Sequence, residues 1–155
     1  RVSIEGDKIL CTVRKDKKIK NIELADQGFA VIDIIKGEII STWWFSDHLN
    51  EIKNWNIFKG NEGLWKGDYF HINDVVIVDE YFTDSGVLEK GDFLLSARNL
   101  HAILQIRNNK IINVFQGKFF MQHDVDVIDA NNITVFNNNR NYLKYPWIDK
   151  FESSV

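Results

Sequence analysis

The fold is decided by two stretches that read Ala30-Val-Ile-Asp-Ile-Ile-Lys-Gly-Glu-Ile-Ile-Ser-Thr-Trp43 and Ala102-Ile-Leu-Gln-Ile-Arg-Asn-Asn-Lys-Ile-Ile-Asn-Val-Phe115. They align without a gap. Each contains an apolar strand, a two-residue polar turn (Lys36-Gly37 or Asn108-Asn109) and a second apolar strand that ends in an aromatic residue. This pattern predicts a β-hairpin, and its recurrence along the chain indicates a repeat architecture.

The strands upstream of the hairpins also repeat. Gly6 to Arg14 matches Gly91 to Arg98, and Asn131 to Asn139 is a looser third copy. A further strand precedes the second and third copies, at Asp74 to Asp79 and at Asp124 to Asp129. The repeating unit is therefore four strands in ~40–50 residues, which is typical of the blades of a β-propeller.

We therefore predict an all-β fold, a β-propeller fragment of four-stranded antiparallel blades whose first strands begin near Asp74 and Asp124. The alternative is a sandwich of unrelated strands. A short helix is predicted over Asp47–Lys53, with Ser46 or Asp47 as its cap. The predicted divisions are a partial blade (1–45), a connection with a loop from Gly60 to Gly67 (46–68), a full blade (69–117) and the start of the next (118–155). The remaining blades of the propeller are expected in missing chain.

Composition narrows the class of protein. The 155 residues are 45% hydrophobic and 26% charged, and the net charge is −3, so neither disorder nor a basic nucleic-acid surface is expected. No apolar run approaches the ~18 residues of a membrane span. Cys11 is the sole cysteine, which excludes an internal disulfide and a cysteine metal cluster.

Two histidines stand at equivalent places in the repeat, because His71 and His123 each precede the first strand of a blade. First strands line the central channel of a propeller, so these side chains are expected to converge on one site. Strand alternation puts His71 and Asn73 on one face, and Arg98, which closes the second strand, can reach the same end. Two alternatives stay open: the histidines cap loops between blades, or they bind a metal, although no carboxylate stands at ligand spacing.

The other candidate residues are predicted to have structural roles. His48 is expected to be solvent-exposed, and His101 is expected to be a surface or hairpin residue. Phe119 and Phe120 are expected to pack at a junction between blades rather than to line the mouth of a pocket.

Three short motifs resemble those of the bacterial aryl sulfotransferase family. Met121-Gln-His-Asp, followed by Ile133-Thr-Val-Phe-Asn-Asn-Asn-Arg140, resembles the family's Gln-His and its strand of the type Leu-Thr-Val-Phe-Asp-Asn-Gly. His71-Ile-Asn-Asp resembles a His-x-Asn-Ser element, and Ser96-Ala-Arg98 resembles a Ser-Ser-Arg element. In this sequence Asp74 replaces the serine, and strand alternation is expected to turn it away from the channel.

The resemblance implies a six-bladed propeller that moves a sulfuryl group from an aryl sulfate to a phenol without a nucleotide donor or other cofactor. It implies that His123 is the nucleophile, that His71 and Arg98 are catalytic, and that Asn73 and Gln122 bind substrate. A neutral imidazole suits this chemistry, since it can attack sulfur and later be displaced. The resemblance also implies a periplasmic or secreted protein.

Two functions therefore remain: a sulfotransferase, or a propeller that binds or interacts without turnover. Convergence of His71, Arg98 and His123 favours the enzyme. Divergence of these side chains, or a channel blocked by Phe119 or Phe120, favours the binding module.

Overall fold

Four consecutive strands form the first antiparallel sheet. The computed structural model describes residues 2–19, 22–54, 68–79 and 86–138 of the chain. Neighbours in sequence are neighbours in the sheet, each paired antiparallel with the next. The strands are β1 (Val2–Glu5), β2 (Lys8–Ile19), β3 (Ile22–Asp33) and β4 (Glu38–Trp44).

The second sheet has the same order and the same antiparallel pairing. A two-stranded sheet follows it. The first strands of these two sheets begin within two residues of Asp74 and Asp124, as predicted. The strands are β5 (Ile72–Ile77), β6 (Phe93–Ala97), β7 (Ala102–Arg107), β8 (Lys110–Phe115), β9 (His123–Val127) and β10 (Ile133–Phe136).

The two repeated hairpins turn differently, although their sequences align without a gap. The second has the predicted two-residue turn, in which Asn108 and Asn109 have φ of 50° and 63°. The predicted Lys36-Gly37 turn is wrong, because the first hairpin has a four-residue loop over 34–37. The carboxylate of Asp33 accepts hydrogen bonds from the backbone N–H groups of Ile35 and Lys36, both at 2.9 Å, and so starts the turn two residues earlier.

The predicted helix is present between the first and second sheets, but its cap differs. A 3-10 helix over Phe45–His48 leads directly into α1 (Leu49–Asn54). No side chain caps the 3-10 helix at its N-terminus. The Ser46 hydroxyl instead donates to the buried carboxylate of Asp26 at 2.6 Å, and the Ser46 N–H donates to the same carboxylate at 3.0 Å. This segment is therefore tied to β3.

The second sheet is buried on both faces. One face packs against the first sheet in an aromatic-rich core that includes Phe29, Trp43 and Phe45, with Leu95 and Leu104 contributed from the second sheet. The other face packs against the third sheet, where Leu94 and Ile103 meet Val125. Adjacent residues of β6 and β7 thus point into different cores, as expected for strands between two neighbouring sheets.

These sheets confirm the all-β prediction and its four-stranded antiparallel blades, and the described residues do not close the propeller ring. The described helices are short, with α1 six residues long. The predicted loop over 60–67 and the chain after residue 138 lie outside the described residues.

Candidate functional site

The three predicted catalytic residues lie where strands of neighbouring sheets begin and end. Ile72 of β5 pairs with Ala97 of β6, so His71 and Arg98 flank the same end of the second sheet. The Arg98 N–H donates to the His71 carbonyl oxygen at 3.1 Å. His123 is the first residue of β9, which packs against β5. The structure therefore brings these three residues to one end of two adjacent sheets.

Hydrogen bonds hold the third sheet against β5 next to His123. The Asn73 side-chain amide donates to the Gln122 carbonyl oxygen at 2.8 Å. The Val125 N–H donates to the buried carboxylate of Asp74 at 2.8 Å. Asp74, which alternation was expected to turn away from the channel, is fully buried and does not add a negative charge to an exposed anion site. The position of His123 is thus fixed from both sides by residues of β5.

His71 has a carboxylate partner that the sequence reasoning missed. Its Nδ1 lies 2.6 Å from Oδ2 of Asp68, three residues earlier. The other oxygen of Asp68 accepts a hydrogen bond from Nε2 of Gln27 at 2.8 Å, and Gln27 belongs to β3 of the first sheet. The sequence feature that could have indicated Asp68 as a partner of His71 is its position three residues earlier in the chain. No local signal in the sequence indicates Gln27, which lies 41 residues from Asp68.

Left-handed backbone conformations are concentrated around the site. Six non-glycine residues in the described part of the chain have positive φ. Four of them lie in the segments that carry the site, namely His71 (47°), His101 (50°), Met121 (54°) and Asp124 (47°). A side chain in this region costs roughly 1–2 kcal/mol. Such conformations persist where surrounding contacts determine them, and they are frequent at functional sites.

The electrostatic environment keeps the His123 imidazole neutral. Its burial lowers the pKa, the charges of Arg98 and His71 lower it further, and the nearby Asp124 opposes them without reversing the shift. The ring is therefore largely unprotonated at neutral pH, which is the state that can attack an electrophile.

The pKa of Asp68 is lowered, although its burial alone would raise it. Hydrogen bonds from the His71 ring and from Gln27, together with the charge of His71, outweigh that effect. Asp68 is consequently an anion across the neutral pH range, and it can only accept hydrogen bonds.

Gln122, which was predicted to bind substrate, has its side chain inside the protein. It is fully buried, and its amide donates to the Ala102 carbonyl oxygen at 3.0 Å. This burial does not fit the prediction that Gln122 binds substrate, because its side chain is used to join the start of β9 to β7. Asn73 likewise uses its amide to hold the Gln122 backbone. Both residues position His123.

The other histidines have structural surroundings. The prediction that His48 is exposed is wrong: it is buried, stacks on Trp43 with ring centroids 4.6 Å apart, and its Nδ1 lies 3.0 Å from the Glu51 carboxylate. His101 lies in the turn before β7, half-buried, and its Nδ1 accepts the Met121 N–H at 3.2 Å. Burial, with the charge of Arg98, lowers the pKa of His101 to about 4.

The two phenylalanines before His123 pack as predicted. Phe119 contacts the core between the second and third sheets. Phe120 packs edge-on against the His101 ring with centroids 4.9 Å apart.

Within the described ranges, no three histidine, cysteine, aspartate or glutamate side chains are grouped so that they could hold a metal ion. In the same ranges, no helix has the length and apolar character needed to cross a membrane.

Comparison with known proteins gives one match. No curated protein and no solved structure is significantly similar to the chain. The family model described as Arylsulfotransferase (ASST) matches residues 8–149, which include the strands β2 to β10 and every residue of the site. The motifs at His71, Arg98 and His123 and this match together show that the chain belongs to the arylsulfotransferase family.

Proposed function

We propose that this protein transfers a sulfuryl group from an aryl sulfate to a phenol through a transient sulfohistidine on His123. The proposal is supported by the positions of His71, Arg98 and His123 at one end of two adjacent sheets. By the same family resemblance, we propose a periplasmic or secreted location.

In the first half-reaction, a ring nitrogen of neutral His123 attacks the sulfur of the donor. The N–S bond forms while the bond from sulfur to the aryl oxygen breaks, and the phenolate leaves with the bonding electrons. Sulfuryl transfer, like phosphoryl transfer, is promoted mainly by positioning and by cationic donors near the charged oxygens. Arg98 supplies a permanent guanidinium charge.

In the second half-reaction, the oxygen of the acceptor phenol attacks sulfur and the N–S bond breaks. The electrons of that bond return to the His123 ring, and the phenol proton must be taken by a base. We assign this role to His71, whose Nδ1 is bound to Asp68. In the first half-reaction the imidazolium form of the same ring can protonate the departing phenolate, which leaves the neutral ring that takes the phenol proton in the second half-reaction.

The test uses the full-length protein with a nitrophenyl sulfate and a phenol acceptor. Release of nitrophenol and a mass increase of one sulfuryl group on His123, formed with donor alone, are the expected results. His123→Ala should abolish nitrophenol release and the adduct. The control is His48→Gln, which changes a histidine that stacks on Trp43, and this variant should retain both when it is folded. An adduct on His71 that persists in His123→Ala would reverse the two roles. Absence of nitrophenol release with several aryl sulfates would favour a binding propeller.

A further inference from the structure

The Gln27 side chain is buried, and both the oxygen and the nitrogen of its amide make hydrogen bonds. Its Oε1 accepts the Ile72 N–H at 2.6 Å, and its Nε2 donates to Asp68 at 2.8 Å. Chemistry fixes this orientation, since a backbone N–H can only donate and a carboxylate can only accept. The reversed amide would place two donors together at Ile72 and two acceptors together at Asp68.

The same argument fixes the tautomer of His71. Because the Asp68 carboxylate accepts, Nδ1 of His71 must carry a proton at the 2.6 Å contact. The neutral ring then has an unprotonated Nε2. That nitrogen can take a proton from a phenol. In the opposite tautomer Nε2 already carries the proton, and Nδ1 could act as the base only after losing its contact with Asp68.

The main chain around Asp68 and His71 is held by a separate set of contacts. The Asn99 side-chain amide donates to the Asp68 carbonyl oxygen at 2.7 Å, and the Asn99 N–H donates to the Phe70 carbonyl oxygen at 3.1 Å. These contacts come from the turn that carries Arg98. The backbone therefore has support of its own, which allows the effect of the side-chain relay to be measured separately.

We propose that Gln27 and Asp68 are positioning residues that hold His71 in the Nδ1-protonated tautomer and aim its Nε2 at the site of sulfuryl transfer. The relay runs from β3 of the first sheet into the second, so the first sheet takes part in the site without supplying a catalytic group. This proposal rests on the proposed function and deepens it by assigning the base its partners.

The experiment compares Asp68→Asn, Gln27→Met and Gln27→Glu in the full-length protein. Asp68→Asn removes the charge and keeps the shape. Gln27→Met removes both hydrogen bonds at similar volume. Gln27→Glu can still accept the Ile72 N–H but brings a second carboxylate against Asp68. The matched control is Asp92→Asn, which removes a buried carboxylate that pairs with Arg107 at the opposite end of β6.

Two readouts separate positioning from folding. Histidine labelled with ¹⁵N reports which ring nitrogen is protonated, and the His71 signal is assigned by its loss in His71→Gln. Nδ1 should be protonated in the wild type at pH 8, and this state should be lost or mixed in Asp68→Asn. We expect kcat to fall about 10-fold to 100-fold in Asp68→Asn and Gln27→Glu, and less in Gln27→Met, with KM for the donor nearly unchanged. Asp92→Asn should lower stability but leave the His71 signal and kcat unaltered.

The two proposals fail in different ways. A His71 ring that is unprotonated at Nδ1 in the wild type, or that does not change in Asp68→Asn, would overturn the relay even if the His123 adduct forms. An adduct that never forms, with the expected His71 signals in all variants, would overturn the proposed function while supporting the relay. A fall in kcat in Asp92→Asn equal to that in Asp68→Asn would show that lost stability explains both, and it too would overturn the relay.

Discussion

The buried carboxylate of Asp74 accepts the backbone N–H of Val125 at 2.8 Å and thereby joins β5 to β9. It also accepts the N–H of Val75 at 2.9 Å, so one fully buried side chain serves two sheets. Val125, which donates this hydrogen bond, lies two residues after His123 in the sequence. Correct placement of His123, the proposed nucleophile, therefore depends on a side chain that is itself fully buried.

Asp74→Ala should destabilise the protein, because the buried Val125 N–H would lose its acceptor. A buried donor left unsatisfied costs about 1–3 kcal/mol, and this loss should appear as a lower midpoint of denaturant unfolding. Asp126→Ala is the matched control, since it removes an exposed carboxylate from β9 and should change stability by less than about 0.5 kcal/mol. Equal midpoints for the two variants would contradict the role given to Asp74.

Arg98→Gln should shift the pH dependence of donor loading. In the wild type, loading is expected to be retained above the lowered pKa of His123 and to be lost as the pH falls through it. Removing the Arg98 charge removes one cause of that lowering. The pKa of His123 should therefore rise, and activity should be lost at a higher pH on the acid side of the kcat/KM profile. At the optimum, loss of one stabilising donor should also reduce kcat by about 10²–10³-fold.

Asp124→Asn should shift the pH dependence of donor loading in the opposite direction. Asp124 raises the pKa of His123 against the combined effect of burial, Arg98 and His71. Without its charge the pKa should fall further, and the acid side of the profile should move to lower pH than in the wild type. Shifts of the same sign in Arg98→Gln and Asp124→Asn would show that charge does not control the ionisation of His123.

The sequence was sufficient to predict the features that repeat. Copies of one hairpin and of the strands before it predicted the blades, and strand alternation predicted that Asp74 would turn away from the channel. The repeat also predicted that His71 and His123 would converge, since equivalent positions in neighbouring blades lie at the same end. The prediction of the blades is confirmed because it depends only on local patterns and on their recurrence.

The features that could not be predicted depend on contacts between distant residues. The burial of His48 results from stacking on Trp43, and the relay at His71 requires Gln27 from another sheet. The turn at Lys36-Gly37 was mispredicted for a local reason, because the Asp33 side chain competes with the two-residue geometry. The family motif alone implied that Gln122 binds substrate, and the motif does not indicate that its side chain is buried and bonded to the Ala102 carbonyl oxygen.

Gly28→Ala should destabilise the first sheet beside the relay. A Cβ at Gly28 would lie 1.8 Å from the Trp43 carbonyl oxygen, a backbone atom that cannot move without displacing β4. Overpacking of this kind costs about 1–3 kcal/mol or more. Gly117→Ala is the control, because its Cβ would meet only the Phe119 ring, at 3.2 Å, and that ring can shift. Thermal unfolding should show a large fall in midpoint for Gly28→Ala and a small change for Gly117→Ala.

His101→Asn should flatten the pH dependence of stability between about pH 6.5 and 4. The pKa of His101 is about 4 in the folded protein and is expected near the ordinary value of 6.5 when unfolded. As the pH falls through this window, the unfolded chain binds a proton that the folded protein does not bind. Folding is therefore weakened by at most about 1.4 kcal/mol per pH unit from this group, with no further loss below the folded pKa.

Asparagine suits this test because it tolerates the left-handed backbone of His101, at φ 50°. Its shorter side chain should lose the hydrogen bond from the Met121 N–H, which lowers stability by a similar amount at every pH. The free energy of unfolding of the wild type minus that of the variant, measured in denaturant at pH 8, 6 and 4.5, should therefore decrease steadily as the pH is lowered. A constant difference at all three values would mean that His101 is protonated equally in the folded and unfolded states, contrary to the burial that lowers its pKa.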